Sequence, residues 1–162
     1  VQPFAYGSRS IGAAMAMGWR TSGRLAASTH PIGGSMSITD TQVANHARID
    51  DLPDALEGMV HFVRAGLGIT AFGVQVLDVP AGACTPEHDE TSTGQEELYV
   101  TISGSGSLLV EGQRFPLDPE HVTRVPPAAK RHLEGGPDGT RILCVGGTPG
   151  EAYEPPDWSQ PA

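Results

Sequence analysis

Between residues 59 and 145 the chain is cut by turn signals roughly every ten residues, and the stretches between the cuts are rich in β-branched and aromatic side chains. The cuts are Gly66 and Gly68, Gly104-Ser105-Gly106, Glu111-Gly112-Gln113, Asp118-Pro119 and Gly135-Gly136-Pro137-Asp138-Gly139. They predict strands at 59–65, 69–79, 97–103, 106–111, 113–117, 121–126, 129–134 and 140–145. Many short strands at this spacing predict an all-β sandwich or barrel. Residues 41–57 mix polar and apolar positions and leave room for a short N-terminal helix near Asp54–Gly58.

Composition agrees. Glycine (21) and proline (14) are plentiful, and Lys130 is the one lysine, whereas helical chains are rich in Ala, Leu, Glu and Lys. A length of 162 residues suits one domain. The formal net charge of −9 repels phosphate backbones and anionic lipid, so nucleic acid and membrane surfaces are not expected partners. No apolar run approaches the roughly 18–20 residues that span a bilayer. Cys84 and Cys144 form no disulfide or zinc-ribbon pattern and read as reduced core residues.

Residues 1–35 stand apart. They hold Arg9, Arg20 and Arg24 and no acid, while all 19 acids follow residue 35. The favoured reading is an upstream stretch that precedes a natural start at Met36. An organelle transit peptide and an arm that packs on a partner subunit are the alternatives; a secretory signal is disfavoured because no continuous apolar core is present. The barrel domain is then 36–162, with its core at 69–147. A proline-rich strap at 148–162 lays Tyr153, Pro155, Pro156 and Trp158 against it.

The densest chemistry lies between Pro80 and Gly104. Residues i and i+2 of a strand share a face. His88 and Glu90 therefore share one, and Glu97, Tyr99 and Thr101 share a face of the next strand. Leu98, Val100 and Ile102 take the opposite face and suit packing between sheets. Imidazole and carboxylate together can ligate a divalent ion or serve as a general acid/base set.

These residues resemble the cupin family. Its first motif, Gly-x5-His-x-His, a short spacer, then Glu-x6-Gly, is matched by Gly82, His88, Glu97 and Gly104. Glu90 replaces the second histidine, and the spacer of six residues to Glu97 is longer than usual. The second motif, Gly-x5-Pro-x-Gly-x2-His, is degenerate. Aligned on Pro126 it places Glu120, Ala128 and Arg131 at the glycines and histidine; aligned on Pro127 it restores His132. The first register is preferred because Leu-Asp-Pro-Glu120 is similar to the turn that usually precedes that glycine. A slip of one residue moves a side chain to the other face, so Arg131 and His132 compete for one inward position; an inward Arg131 would pair with Glu97 or clamp a substrate carboxylate, and its charge would repel a metal cation. The resemblance covers about residues 69–147, and the stretch from Phe72 to Gly150 also looks like a group of small bacterial cupins.

It implies a single-domain antiparallel cupin-type β-barrel, or jelly roll, that binds a small molecule. In one reading a divalent metal (Fe, Mn, Zn or Ni) sits on His88, Glu90, Glu97 and His132 in an oxygenase, isomerase or lyase. In a second, the barrel is metal-free and Arg131 holds an acidic ligand. In a third, it is a non-catalytic sensing or structural module. Across these readings His88, Glu97 and Tyr99 are the catalytic candidates, and Arg131, Tyr99 and Thr101 the candidates for contacting substrate. The resemblance also implies a homodimer, and the lack of an export signal predicts a cytoplasmic protein. His121 reads as a turn residue, and His30, His46 and His61 as structural.

Overall fold

The structure, a computed structural model, describes residues 44–156 and residue 159. The expectations for residues 1–35, Met36 and Trp158 lie outside these residues. A 3-10 turn at Ile49–Asp51 is followed by β1 (Asp54–Ala55), β2 (Val60–His61), a short helix α1 (Val63–Leu67), β3 (Gly73–Val79), β4 (Glu96–Val110), β5 (Gln113–Leu117), β6 (Val122–Val125) and β7 (Arg131–Gly147). All pairings are antiparallel, in the order β1-β2-β3-β7-β4-β5, with β6 also on β4.

Two strands build the barrel. The first half of β4 pairs with the last part of β7, from Glu96↔Gly147 to Gly104↔Thr140; its second half pairs with the start of β7, from Gly106↔Gly135 to Val110↔Arg131. β3 and β6 extend the first half, giving one sheet. β5 and the bridges Cys84↔Glu134 and His88↔Arg131 extend the second half, giving the other. The two sheets face each other over a core of Tyr99, Leu108, Leu117, Val125, Leu133 and Ile142.

Four expected strands are thus two long ones. Gly104-Ser105-Gly106 and Gly135–Gly139 are corners through which β4 and β7 pass from one sheet to the other. Bulges at Thr101/Ser103 and Gly104/Gly106 shift the register there. The inward face switches parity: Tyr99 and Thr101 are buried before the corner, Leu108 after it. Gly104 has φ 76°, and a Cβ on it would lie 2.3 Å from the Gly139 carbonyl oxygen. Only glycine turns the strand there with the partner backbone so close.

Three further expectations change. Asp54–Gly58 is not helical: it is a bridge and a turn in which Leu56, Glu57 and Gly58 all have positive φ, closed by the Gly58 N–H on Asp54 Oδ1 at 3.2 Å. The strand expected at 59–65 is only Val60–His61, after which the backbone closes into α1, with the Gly66 N–H donating to the Phe62 carbonyl at 2.9 Å. Leu98 and Ile102 do not pack between sheets; at 39% and 44% exposure they lie on the outer surface, and Glu97, Tyr99 and Thr101 point inward. Alternation fixes which residues share a face but not which face is inside when both carry apolar groups.

A polar network staples the N-terminal turn to the barrel. Arg141 donates to both oxygens of Asp78, at 2.7 Å each, and to Asp50 at 2.8 Å, while His61 Nε2 lies 3.0 Å from Asp78. Arg141 holds the Asp78 carboxyl below its ordinary value. A depressed folded value means the contribution is complete above the unfolded carboxylate range, near pH 4, and is lost as pH falls through the folded value. Asp78→Asn is expected to lower the melting temperature at pH 7. It should also flatten the acid limb of the stability profile, measured by thermal unfolding between pH 2 and 7.

Candidate functional site

His88 and Arg131 are direct partners on the second sheet. The Arg131 N–H donates to the His88 carbonyl at 2.9 Å and the His88 N–H to the Arg131 carbonyl at 3.1 Å. Glu97 enters from β4 of the first sheet, so the groups meet across the interior. Glu90 follows the His88 bridge, and its N–H is pinned to the Pro127 carbonyl at 2.8 Å. Ligand atoms of His88, Glu90 and Glu97 lie within 4.8 Å of one another. His88 Nδ1 is 3.2 Å from the Pro86 carbonyl. A carbonyl only accepts, so Nδ1 is the donor, which in the neutral imidazole leaves the lone pair on Nε2. Thr93 donates its hydroxyl to Glu90 Oε2.

Arg131, not His132, takes the inward position, and its exposure is 0%. Its Nε and Nη2 donate to Glu97 Oε2 at 2.9 and 2.5 Å, and Nη1 donates to the carbonyls of Ala129 (3.1 Å) and Pro127 (3.4 Å). Burial pulls the guanidinium down, but the charge and hydrogen bonds of Glu97, with those of Tyr99, leave it above its usual value. Arg131 is an internal counter-ion; four of its five N–H donors are committed to protein, and it lines neither cavity described below. His132 points to the other face, where it lies 3.5 Å from Glu134 and 4.0 Å from Glu87, so it does not join the cluster.

Tyr99 donates its hydroxyl to Glu97 Oε2 at 2.6 Å. Burial, then Cys144 and Glu97, push its phenol well above the usual range, so it stays a neutral donor. Thr101 is buried but lines neither cavity. Cys144 faces Tyr99 in the register, and its thiol lies 3.6 Å from Glu97 Oε1; burial first, and then Glu97, push that thiol well up. Sequence reasoning read Cys144 as plain core. Its place two residues from the buried Ile142 on one strand was the available signal for an inward thiol.

The cluster borders two cavities. One, of about 70 Å³, has a largely apolar wall that includes Leu56, Met59, Val60, Leu77, Val79 and Leu133, with His88, Glu90 and Glu97 on one side. The other, of about 50 Å³, lies under the C-terminal strap and is lined by Arg64, Gln95, Tyr153, Pro156 and Ser159 among others. Gln75, Glu90, Glu97 and Cys144 border both. One water needs roughly 10–15 Å³ on this measure, so each cavity has room for several water-sized groups. Sequence reasoning missed Arg64 and Gln75, which come from elements well upstream of the motif.

No family model and no curated protein matches the chain. Among solved structures, a cupin protein from Bacteroides fragilis matches over 75% of this chain and 97% of its own, at 21% identity and a TM-score of 0.55. The fold is that of the cupins. A sugar phosphate isomerase of the cupin superfamily from Silicibacter pomeroyi matches at 17% identity over 59% of each chain, with a TM-score of 0.48. The cupin domain of Schizosaccharomyces pombe Cnp3 matches at 20% identity over 48% of this chain and 56% of that one, with a TM-score of 0.44. Within the cupin barrel the first motif falls where the sequence placed it, at the inner wall, and the degenerate second motif delivers Arg131 to the inner face. Among the described residues no helix is long and apolar enough to cross a membrane.

Proposed function

We propose that this chain is a small-molecule-binding cupin whose reaction centre holds a divalent cation on His88, Glu90 and Glu97. The observation that carries the reading is the convergence of one imidazole and two carboxylates within 4.8 Å. This donor set fits Fe(II), Mn(II), Zn(II) or Ni(II), and three protein ligands leave positions for water and substrate. The hydrogen bond from His88 to Pro86 supports it, because a ligating histidine usually donates its other N–H to a carbonyl or carboxylate. Arg131 cancels one of the two carboxylate charges, so a dication leaves a net charge near +1 rather than zero. When bound, the ion supplies Lewis acidity to an oxygen-bearing substrate. Arg131 and Tyr99 fix the orientation of Glu97, His88 is held in one tautomer, and the apolar wall excludes water from the substrate's body. The reaction classes that suit such a centre are oxygenation, isomerisation and elimination.

Elemental analysis of protein grown with added Fe, Mn, Zn and Ni tests this. About one ion per chain is expected, and EDTA is expected to lower the melting temperature by several degrees, since a ligand at 100 times its Kd stabilises by about 2.7 kcal/mol. Absence of any ion, with an unchanged melting temperature in EDTA, overturns it. That outcome favours the second reading, supported by the charge Arg131 already gives Glu97: a metal-free pocket in which His88 and Glu90 transfer or hold protons.

The outer face of β4, with Leu98 and Ile102, together with nearby Val122 and Phe72, exposes apolar surface that supports pairing of two copies. Light scattering is expected to give twice the chain mass for the native protein and the single mass for Leu98→Glu with Ile102→Glu. A monomeric native protein would refute the pairing.

A further inference from the structure

We infer that the cavity beneath the C-terminal strap is a subsite for the carboxylate of a small organic acid, anchored by Arg64. The inference rests on the reading that the adjoining cluster of His88, Glu90 and Glu97 is the reaction centre, and it names the substrate class of that centre. Six arginines lie among the described residues. Arg48, Arg114, Arg124, Arg131 and Arg141 each sit against a carboxylate. Arg64 does not. Its Nη2 reaches only the Ser159 carbonyl, at 3.5 Å, and its Nε is buried with no hydrogen-bond partner among the described residues. A buried guanidinium N–H left unpaired is costly, and the group best matched to its planar fork is a carboxylate.

The cavity has the size and the neighbours such a group needs. Its volume of about 50 Å³ takes a few heavy atoms. Tyr153 and Pro156 of the strap form part of its wall, and the strap seats closely because residue 73 is glycine: a Cβ there would lie 2.6 Å from the Tyr153 hydroxyl oxygen. Gln75, Glu90, Glu97 and Cys144 also line it, and all four border the apolar cavity as well. An acid held at Arg64 therefore presents its other end to the reaction centre. A monoanion suits the site better than a dianion, since Glu90 and Glu97 already border the space. Arg131, the acid-binding candidate of the sequence, is fully buried, spends four of its five N–H donors on Glu97, Pro127 and Ala129, and lines neither cavity.

Thermal unfolding in low-chloride buffer with propionate as the probe tests the subsite, with propionamide as its uncharged control. Propionate is expected to raise the melting temperature saturably, by a few degrees at about 100 times its Kd, and propionamide is not. Arg64→Met is expected to lose the shift. The shift should persist in EDTA and in His88→Ala, so failure of the metal reading leaves this result intact. A shift that survives in Arg64→Met, or one that EDTA abolishes while Arg64→Met keeps it, overturns the inference. So does propionate that leaves the native protein unmoved. A measurement on the native protein avoids dependence on the variant's folding: the Arg64 Nε–H proton resonance is expected to move downfield at propionate saturation, and an unmoved resonance overturns the inference.

Discussion

Arg131→Ala is expected to destabilise the barrel by about 3–5 kcal/mol, the usual cost of stranding one partner of a buried ion pair. Arg131 has 0% exposure, and its guanidinium supplies two of the three donors on Glu97 Oε2. Removing it leaves a carboxylate inside the barrel with the Tyr99 hydroxyl and the weakly donating Cys144 thiol as its remaining partners. The same substitution also frees the carbonyls of Pro127 and Ala129, to which Nη1 donates. Arg131→Lys is expected to recover only part of the loss, because an ammonium cannot reproduce the fork that spans Glu97 and those two carbonyls. The diagnostic comparison is the double variant Arg131→Met with Glu97→Gln. Removing both charges is expected to restore much of the stability that Arg131→Met alone loses. Urea midpoints at pH 7 compare the native protein with all four variants. A single variant that unfolds within about 1 kcal/mol of the native protein would show that Glu97 does not depend on this cation.

The second large effect is expected at a corner. In Gly135→Ala the added Cβ would stand 2.1 Å from the Pro80 carbonyl oxygen and 2.9 Å from that of Val79. Both obstacles are backbone, so no side-chain rotation relieves them. Gly135 also ties β7 to the segment before the site: its N–H donates to Ala83 at 2.9 Å and its carbonyl accepts from Gly82 at 3.2 Å. Any shift that makes room for the methyl group loosens these bonds and, with them, the bridge that carries His88. A loss of about 3 kcal/mol is expected, at the upper end for overpacking. Gly147→Ala, on the same strand with nothing within 4 Å of its Cβ position, is expected to stay within about 0.5 kcal/mol of the native protein. Equal midpoints for the two variants would refute the argument.

The sequence carried the barrel and most of the centre. Alternation along 97–101 placed Glu97 with Tyr99, and the first motif brought His88 to them; the pairing of His88 with Arg131 then left His132 outside. The rest depends on facts that alternation cannot hold. Gly104 and Gly135–Gly139 have the composition of turns, and whether such glycines end a strand or bend it depends on whether hydrogen bonding resumes beyond them, which is a property of the partner strand. Leu98 and Ile102 match a core pattern, yet the inner face of that strand is the polar one because it lines the pocket. Arg64 sits on a helix that its Val-Arg-Ala context disguised as strand, and its part in the pocket arises only when the strap folds over it.

β4 and β7 run unbroken through both sheets, zipped to each other along nearly their full lengths. Peeling either sheet away would require tearing the ribbon that also forms its neighbour. Partial opening of one half is thereby suppressed, and amide protons on the two halves are expected to exchange together, through global unfolding alone. Any route into the two cavities must then run past the strap and the short loops at the barrel's rim, while the staves themselves stay closed.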